Sequence, residues 1–185
     1  MSEARHGPGR LELVGEFVNT RDVQDDVDRL ATPADLADWL TCHGLAAPGL
    51  TVRAAGLRRT VELREALREA LLANGGGEPV GDDALAVLNR AGRRGRFVMR
   101  FGPDGRASLE PVADDVDGAL SRLLAIVHDA GETGAWPRLK VCRNDTCRWA
   151  FYDQSKNRSR HWCSMEACGG QAKARSYRRR KAGQT

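Results

Sequence analysis

The sequence predicts a mainly α fold: an N-terminal helical bundle with one small β-hairpin, followed by a small ββα-like module that ends in a basic helix. Three observations carry this prediction. Apolar residues recur at helical spacing through most of the chain, one stretch alternates apolar and polar residues around a turn signal, and four cysteines gather near the C-terminus.

The elements follow in order. Residues 1–9 read as a disordered tail, and Leu11, Val14, Phe17 and Val18 then mark a short amphipathic helix. An acidic loop runs to about Ala31. Thr32 is a good N-cap, with Pro33 at the first helical position, Asp35 in the first turn, Leu36, Trp39 and Leu40 on one face and Gly44 as the stop. Cys42 in this helix is expected to be a buried structural thiol. From Thr51 to Ala73 the apolar Leu57, Val61, Leu63, Leu67 and Leu71 alternate with charges, and Arg64, Glu65, Arg68 and Glu69 are expected on a solvated face. Asn74 and three glycines end that helix.

A fourth helix is expected from Asp82 to about Arg90. RFVMRF, GPDG and RASLEPV then read as strand, turn and strand, and Asp114 to His128 returns to helical period with Leu120, Leu123, Leu124 and Val127 inward.

GETGAWP, residues 131–137, concentrates glycine and proline, and the charge changes sign there. Residues 1–137 hold 16 Lys and Arg against 22 Asp and Glu, a balance of −6; residues 138–185 hold 13 against 3, a balance of +10. The expected division is therefore a helical domain over 10–134, with a possible sensory role, and a C-terminal module over 138–185. Such a split is the footprint of a polyanion partner for one module. No stretch approaches a membrane span, and MSEARHGPGR has no apolar signal region, so a cytoplasmic protein without membrane contact is expected.

Cys142, Cys147, Cys163 and Cys168 are separated by four, fifteen and four residues. A reducing cytosol disfavours disulfides, and two short cysteine loops flanking a longer one suit a tetrahedral Zn2+ site with four thiolates. Iron–sulfur ligation and free thiols are the alternatives. Four sulfurs close the coordination sphere, so the metal is expected to be structural, supplying much of the folding free energy of so short a module. His161, two residues from Cys163, is a rival ligand, with a surface or phosphate-facing role as the other reading.

Trp149 and Phe151 alternate with Ala150 and Tyr152 as a short strand would and are expected to form the finger's core, with base stacking as the rival role. The turn DQSKNRSR carries Lys156, Arg158 and Arg160, a composition that suits phosphate contacts and equally a solvated turn. In the tail, Gln171, Arg175, Arg178 and Arg179 share one helical face, with Lys173 and Arg180 opposite. Lacking a wide apolar stripe, this helix is expected to project toward an acidic partner.

CRNDTCRWAFYDQSKNRSRHWCSMEACGGQAKARSYRRR resembles the CGNR zinc finger family, and EFVNT, TPADLADWL and LREALREALLA resemble the helical domain that accompanies that finger, so the resemblance covers nearly the whole chain. It implies a stress-induced transcriptional regulator whose finger holds zinc through the four cysteines and binds DNA. It also implies a helical domain that senses a ligand or a partner. By that analogy Arg158, Arg160, Lys173 and Arg175 are candidate nucleic-acid contacts, and the basic run adds Arg178 and Arg179. The chain departs from the pattern that names the family: Gly169, Gly170 and Gln171 follow Cys168 where Gly-Asn-Arg is expected.

The function expected is therefore a zinc-finger DNA-binding regulator with basic residues on phosphate; an RNA-binding or protein-interaction module is the alternative. His43, His128, Asp38 and Asp129 are the one acid–base set an enzyme could use. No nucleophile motif, phosphate-binding loop or dinucleotide fingerprint accompanies them, and an enzyme is not expected. The effector of the helical domain and the oligomeric state stay open.

Overall fold

The computed structural model describes residues 9–174 and residue 181; all but the last residue of the expected tail at 1–9, and Arg175, Arg178 and Arg179 of the basic helix, lie outside the described residues. Among the described residues, five α-helices dominate: α1 (Leu11–Val18), α2 (Pro33–Cys42), α3 (Ala54–Asn74), α4 (Asp82–Arg94) and α5 (Val116–Glu132). Three antiparallel two-stranded hairpins join them: β1 (Arg21–Asp22) with β2 (Val27–Asp28), β3 (Phe97–Phe101) with β4 (Ala107–Pro111), and β5 (Leu139–Val141) with β6 (Ala150–Tyr152). The fold is mainly α, and no described helix is long and apolar enough to cross a membrane.

Local chemistry explains most boundaries. Thr32 and Asp35 form a reciprocal capping box, each side chain bonding the other's backbone amide, with Pro33 opening α2. Gly44 takes a φ of 65° just past the α2 cap, a conformation that costs an L side chain more than it costs glycine. Asp115 caps α5 through the Gly118 amide.

Two expectations fail. Cys42 is exposed, because α2 turns Leu36 and Leu40 inward and a residue two positions beyond Leu40 falls about 200° around the helix. Arg64 and Arg68, expected on a solvated face, are 2% and 5% exposed. Their guanidinium groups are buried because every approach is answered. Arg64 bonds both carboxylate oxygens of Asp28 at 2.7 and 2.9 Å and donates to Thr20, while Glu65 lies beside Arg64 and Arg68. Arg68 donates to the carbonyls of Val18, Arg21 and Arg148.

The main core joins α1, α2, α3 and α5 through Phe17, Leu36, Leu40, Leu63, Leu67 and Leu123, and it extends without a break into Leu139, Val141 and Ala150 of the β5–β6 hairpin. That hairpin begins beyond the expected 131–137 boundary, so the finger's strands complete the core of the helical part. Gly15 permits the approach: a Cβ there would already touch the Leu139 side chain at 3.4 Å.

The free edge of β6 is closed by Asn19. Its side-chain amide accepts from the Ala150 N–H at 2.7 Å and donates to the Ala150 carbonyl at 3.0 Å, pairing with the strand as a neighbouring strand would. Replacing Asn19 with Ala removes both bonds and leaves two partly buried backbone groups unsatisfied. We expect a loss of about 2 kcal/mol in urea unfolding, with faster hydrogen exchange at the Ala150 amide, from the ordinary cost of buried unmade hydrogen bonds. Unchanged stability would mean that water replaces Asn19 without loss.

Candidate metal centre and its surroundings

The hairpin positions the metal site because its two faces do different work. Leu139, Val141 and Ala150 point into the helical core, whereas Phe151 on the opposite face packs against Cys142, Cys147 and Cys168. The register sets Lys140 across from Phe151 on that second face. Trp149, Trp162 and Cys163 complete the small cluster, so Trp149 and Phe151 serve as the finger's core.

Cys142 leaves β5, and a tight turn brings Cys147 back: the Asn144 carbonyl accepts from the Cys147 and Arg148 amides, and the Cys142 amide donates to Trp149. Arg148 stands in the left-handed region at φ 53°, which lets the chain reverse into β6. Cys163 and Cys168 come from the far side, where a π-helical turn at Met165–Gly169, capped by Ser164, carries Cys168 and runs into helical residues 171–174.

The four sulfurs lie within 4.8 Å of one another, with Cys147 and Cys163 at 3.6 Å and Cys163 and Cys168 at 3.8 Å. A tetrahedron with zinc–sulfur bonds of about 2.3 Å has edges of about 3.8 Å. These separations exceed the roughly 2.05 Å of a disulfide, and all four cysteines are free. The residues present therefore fit one tetrahedral metal ion. Three of the four thiols are buried and Cys163 is half-buried, which limits access of water to the site.

The four thiols perturb one another strongly. Hydrogen bonds from Cys147 and then Cys163 draw the Cys142 thiol down to about 2. Cys147 is pushed up to about 12 by holding its proton toward Cys142, and Cys163 is pushed up further by Cys142 and Cys147. The cluster by itself therefore favours one thiolate over several, a penalty that a bound dication would remove. Asn144 Nδ2 lies 3.6 Å from the Cys168 sulfur and 3.1 Å from the Gln171 amide oxygen. Gln171 thereby supports a partner of a candidate ligand.

The long loop between the second and third ligands is fixed by a buried ion pair. Lys140 Nζ meets the Asp153 carboxylate at 2.8 Å, with the two side chains 3% and 0% exposed, and also donates to the Arg158 and Arg160 carbonyls. Asp153 further accepts from the Ser155 amide and hydroxyl and from the Arg160 amide. Burial pushes the Asp153 carboxyl up, but Lys140, Ser155 and Arg160 together outweigh it and hold it well below the usual carboxylate range.

The remaining sequence-selected residues separate by role. Arg160 donates to the carbonyls of Trp162 and Cys163, and its guanidinium lies 5.2 Å from the Phe151 ring centroid, so it positions the third ligand. Lys156, Arg158 and Lys173 are exposed, and Arg158 adopts φ 52°. His161 is outside the four-sulfur group; its Nδ1 lies 3.1 Å from the Gly75 carbonyl, and Arg143 donates to the Gly76 carbonyl. The glycines that end α3 are therefore a seat for the finger. Sequence reasoning missed this seat, the ion pair and Asn19; the only available signals were Lys140 between two apolar residues and Asn19 in EFVNT.

Fold and site together define a helical protein completed by a four-cysteine metal-binding finger. The chain belongs to the family described as "Putative stress-induced transcription regulator", whose model matches residues 11–136. A second model, the CGNR zinc finger, matches residues 138–181. No curated protein is similar enough to match the chain.

Replacing Asp153 with Asn leaves Lys140 buried without its counter-charge. We expect a loss of about 3 kcal/mol at neutral pH in urea unfolding. A carboxyl with a depressed folded pKa contributes stability that is present above its unfolded value of about 3.9 and lost as pH falls through the folded value. The gap between wild type and Asp153→Asn should therefore stay constant from about pH 8 to about pH 5 and narrow only under stronger acid. A gap that closes near neutrality would contradict this assignment.

Proposed function

We propose that the protein is a DNA-binding transcriptional regulator in which one zinc ion shapes the finger and takes no part in chemistry. The observation that carries the reading is the charge split, +10 over residues 138–185 against −6 before them. A finger built around a metal and bearing excess positive charge suits the phosphate backbone, with electrostatics supplying affinity and a smaller set of base contacts supplying selectivity. The family descriptions support the same reading.

Four thiolates fill a tetrahedral sphere and leave no position for an activated water, so we read the molecule as a binding protein and not as an enzyme. Among the described residues, the exposed Lys156, Arg158 and Lys173 are the candidate phosphate contacts. Arg175, Arg178 and Arg179 remain candidates by sequence. Arg160 contributes by holding the loop on which Lys156 and Arg158 stand.

Metal analysis of purified protein should return one zinc per chain, and removal of the metal with a chelator should abolish duplex binding; iron, or full binding by the stripped protein, would count against the reading. Selection from random duplex DNA, single-stranded DNA and RNA should enrich a duplex motif. In salt titrations on that motif, Lys156→Ala and Lys173→Ala should each make the slope of log K against log salt shallower by about 0.9, one phosphate apiece. Preference for RNA, or equal and weak binding to every duplex, would refute the regulator reading.

A further inference from the structure

One cavity of about 660 Å³ lies where the N-terminus of α1, the last turn of α5 and the finger's loop converge. Its lining is asymmetric. Arg10, Arg138 and Arg158 line it as its three cationic residues, Ile126 and Tyr152 add an apolar and an aromatic residue, and Asp129 is the single acidic residue of the lining. Arg10 and Arg158 are exposed, and no ion pair engages either of them among the described residues. Arg138 is oriented by bonds from Nη1 to the Asp153 and Ser155 carbonyls. No side chain caps the N-terminus of α1, so the positive end of that helix adds to the field.

We propose that this cleft binds a small molecule that carries a phosphate or carboxylate on an apolar or aromatic body. Three observations combine in that assignment. The volume suits a ligand of metabolite size, since such sites span roughly 300–1,000 Å³. Three cations from three elements converge with one acid to oppose them, and guanidinium is the side chain best shaped for a bidentate oxyanion. Ile126 and Tyr152 in the same lining favour a body that inorganic phosphate lacks. Because Arg10 belongs to the helical part and Arg158 to the loop between the second and third ligand cysteines, a bound molecule bridges the two. The cleft shares Arg158 with the phosphate contacts proposed above, while its other two cations, Arg10 and Arg138, lie outside that set.

The test is a two-dimensional amide NMR titration of full-length, zinc-loaded protein with phenyl phosphate, inorganic phosphate and phenol. Phenyl phosphate should give saturable shifts at the amides of Gly134, Ala135 and Tyr152, and should bind about tenfold more tightly than either fragment, as a charge-assisted contact and an apolar one combine. Arg10→Gln combined with Arg158→Gln should weaken phenyl phosphate by about tenfold or more while leaving the melting temperature unchanged, because neither guanidinium holds another part of the fold. Lys156→Gln combined with Lys173→Gln, cations outside the cleft, should leave binding unchanged. Shifts that never saturate, or that respond equally to both double variants, overturn the proposal. So does a short duplex DNA that displaces phenyl phosphate while shifting the same amides, because the cleft would then belong to a nucleic-acid surface.

Discussion

The β5–β6 hairpin is the constraint on which the rest of the molecule depends. With six paired residues it presents Leu139, Val141 and Ala150 to the helices and Phe151 to the cysteines. Strand alternation makes this possible: successive side chains point to opposite faces, so a shift of one residue would expel the core contacts and turn Lys140 into the helical core. The register is therefore specified from both sides at once. Asn19 closes the β6 edge, Arg68 anchors the turn at Arg148, and Asn74 donates to the Trp136 and Leu139 carbonyls as the chain enters β5.

Buried polar groups give this junction its specificity. Arg64, Arg68, Lys140 and Asp153 are all nearly inaccessible, and such groups are tolerated only where each has geometrically suitable partners. Apolar side chains alone would allow the hairpin to slide along α3, since hydrophobic burial is non-directional. A guanidinium that must satisfy the carbonyls of Val18, Arg21 and Arg148 permits one arrangement. A metal held by the four sulfurs would add a second directional requirement, because tetrahedral coordination fixes the two cysteine turns relative to one another.

Much of this was legible in the sequence, for reasons of local physics. The capping pair Thr32 and Asp35 and the GPDG turn act through neighbours in the chain, and the four-fifteen-four cysteine spacing reflects a ligand geometry that few other arrangements satisfy. What could not be read depended on partners far along the chain. Arg64 at a helical position looks solvated until Asp28 is known to lie 2.7 Å away, and three glycines look like a linker until His161 and Arg143 reach their carbonyls. The charge balance changes sign near residue 137, but the hydrophobic core runs straight across it.

The central claim is that finger and helices form one cooperative unit through that hairpin. Native-state hydrogen exchange on the full chain, metal-loaded and after chelation, tests it most directly. Loss of metal should speed exchange beyond the cysteine turns, at the Asn19 and Thr20 amides after α1 and at the Gly75 amide closing α3. Faster exchange confined to residues between Cys142 and Cys168, with those distant amides as protected as before, would contradict the claim and make the finger a separate folding unit.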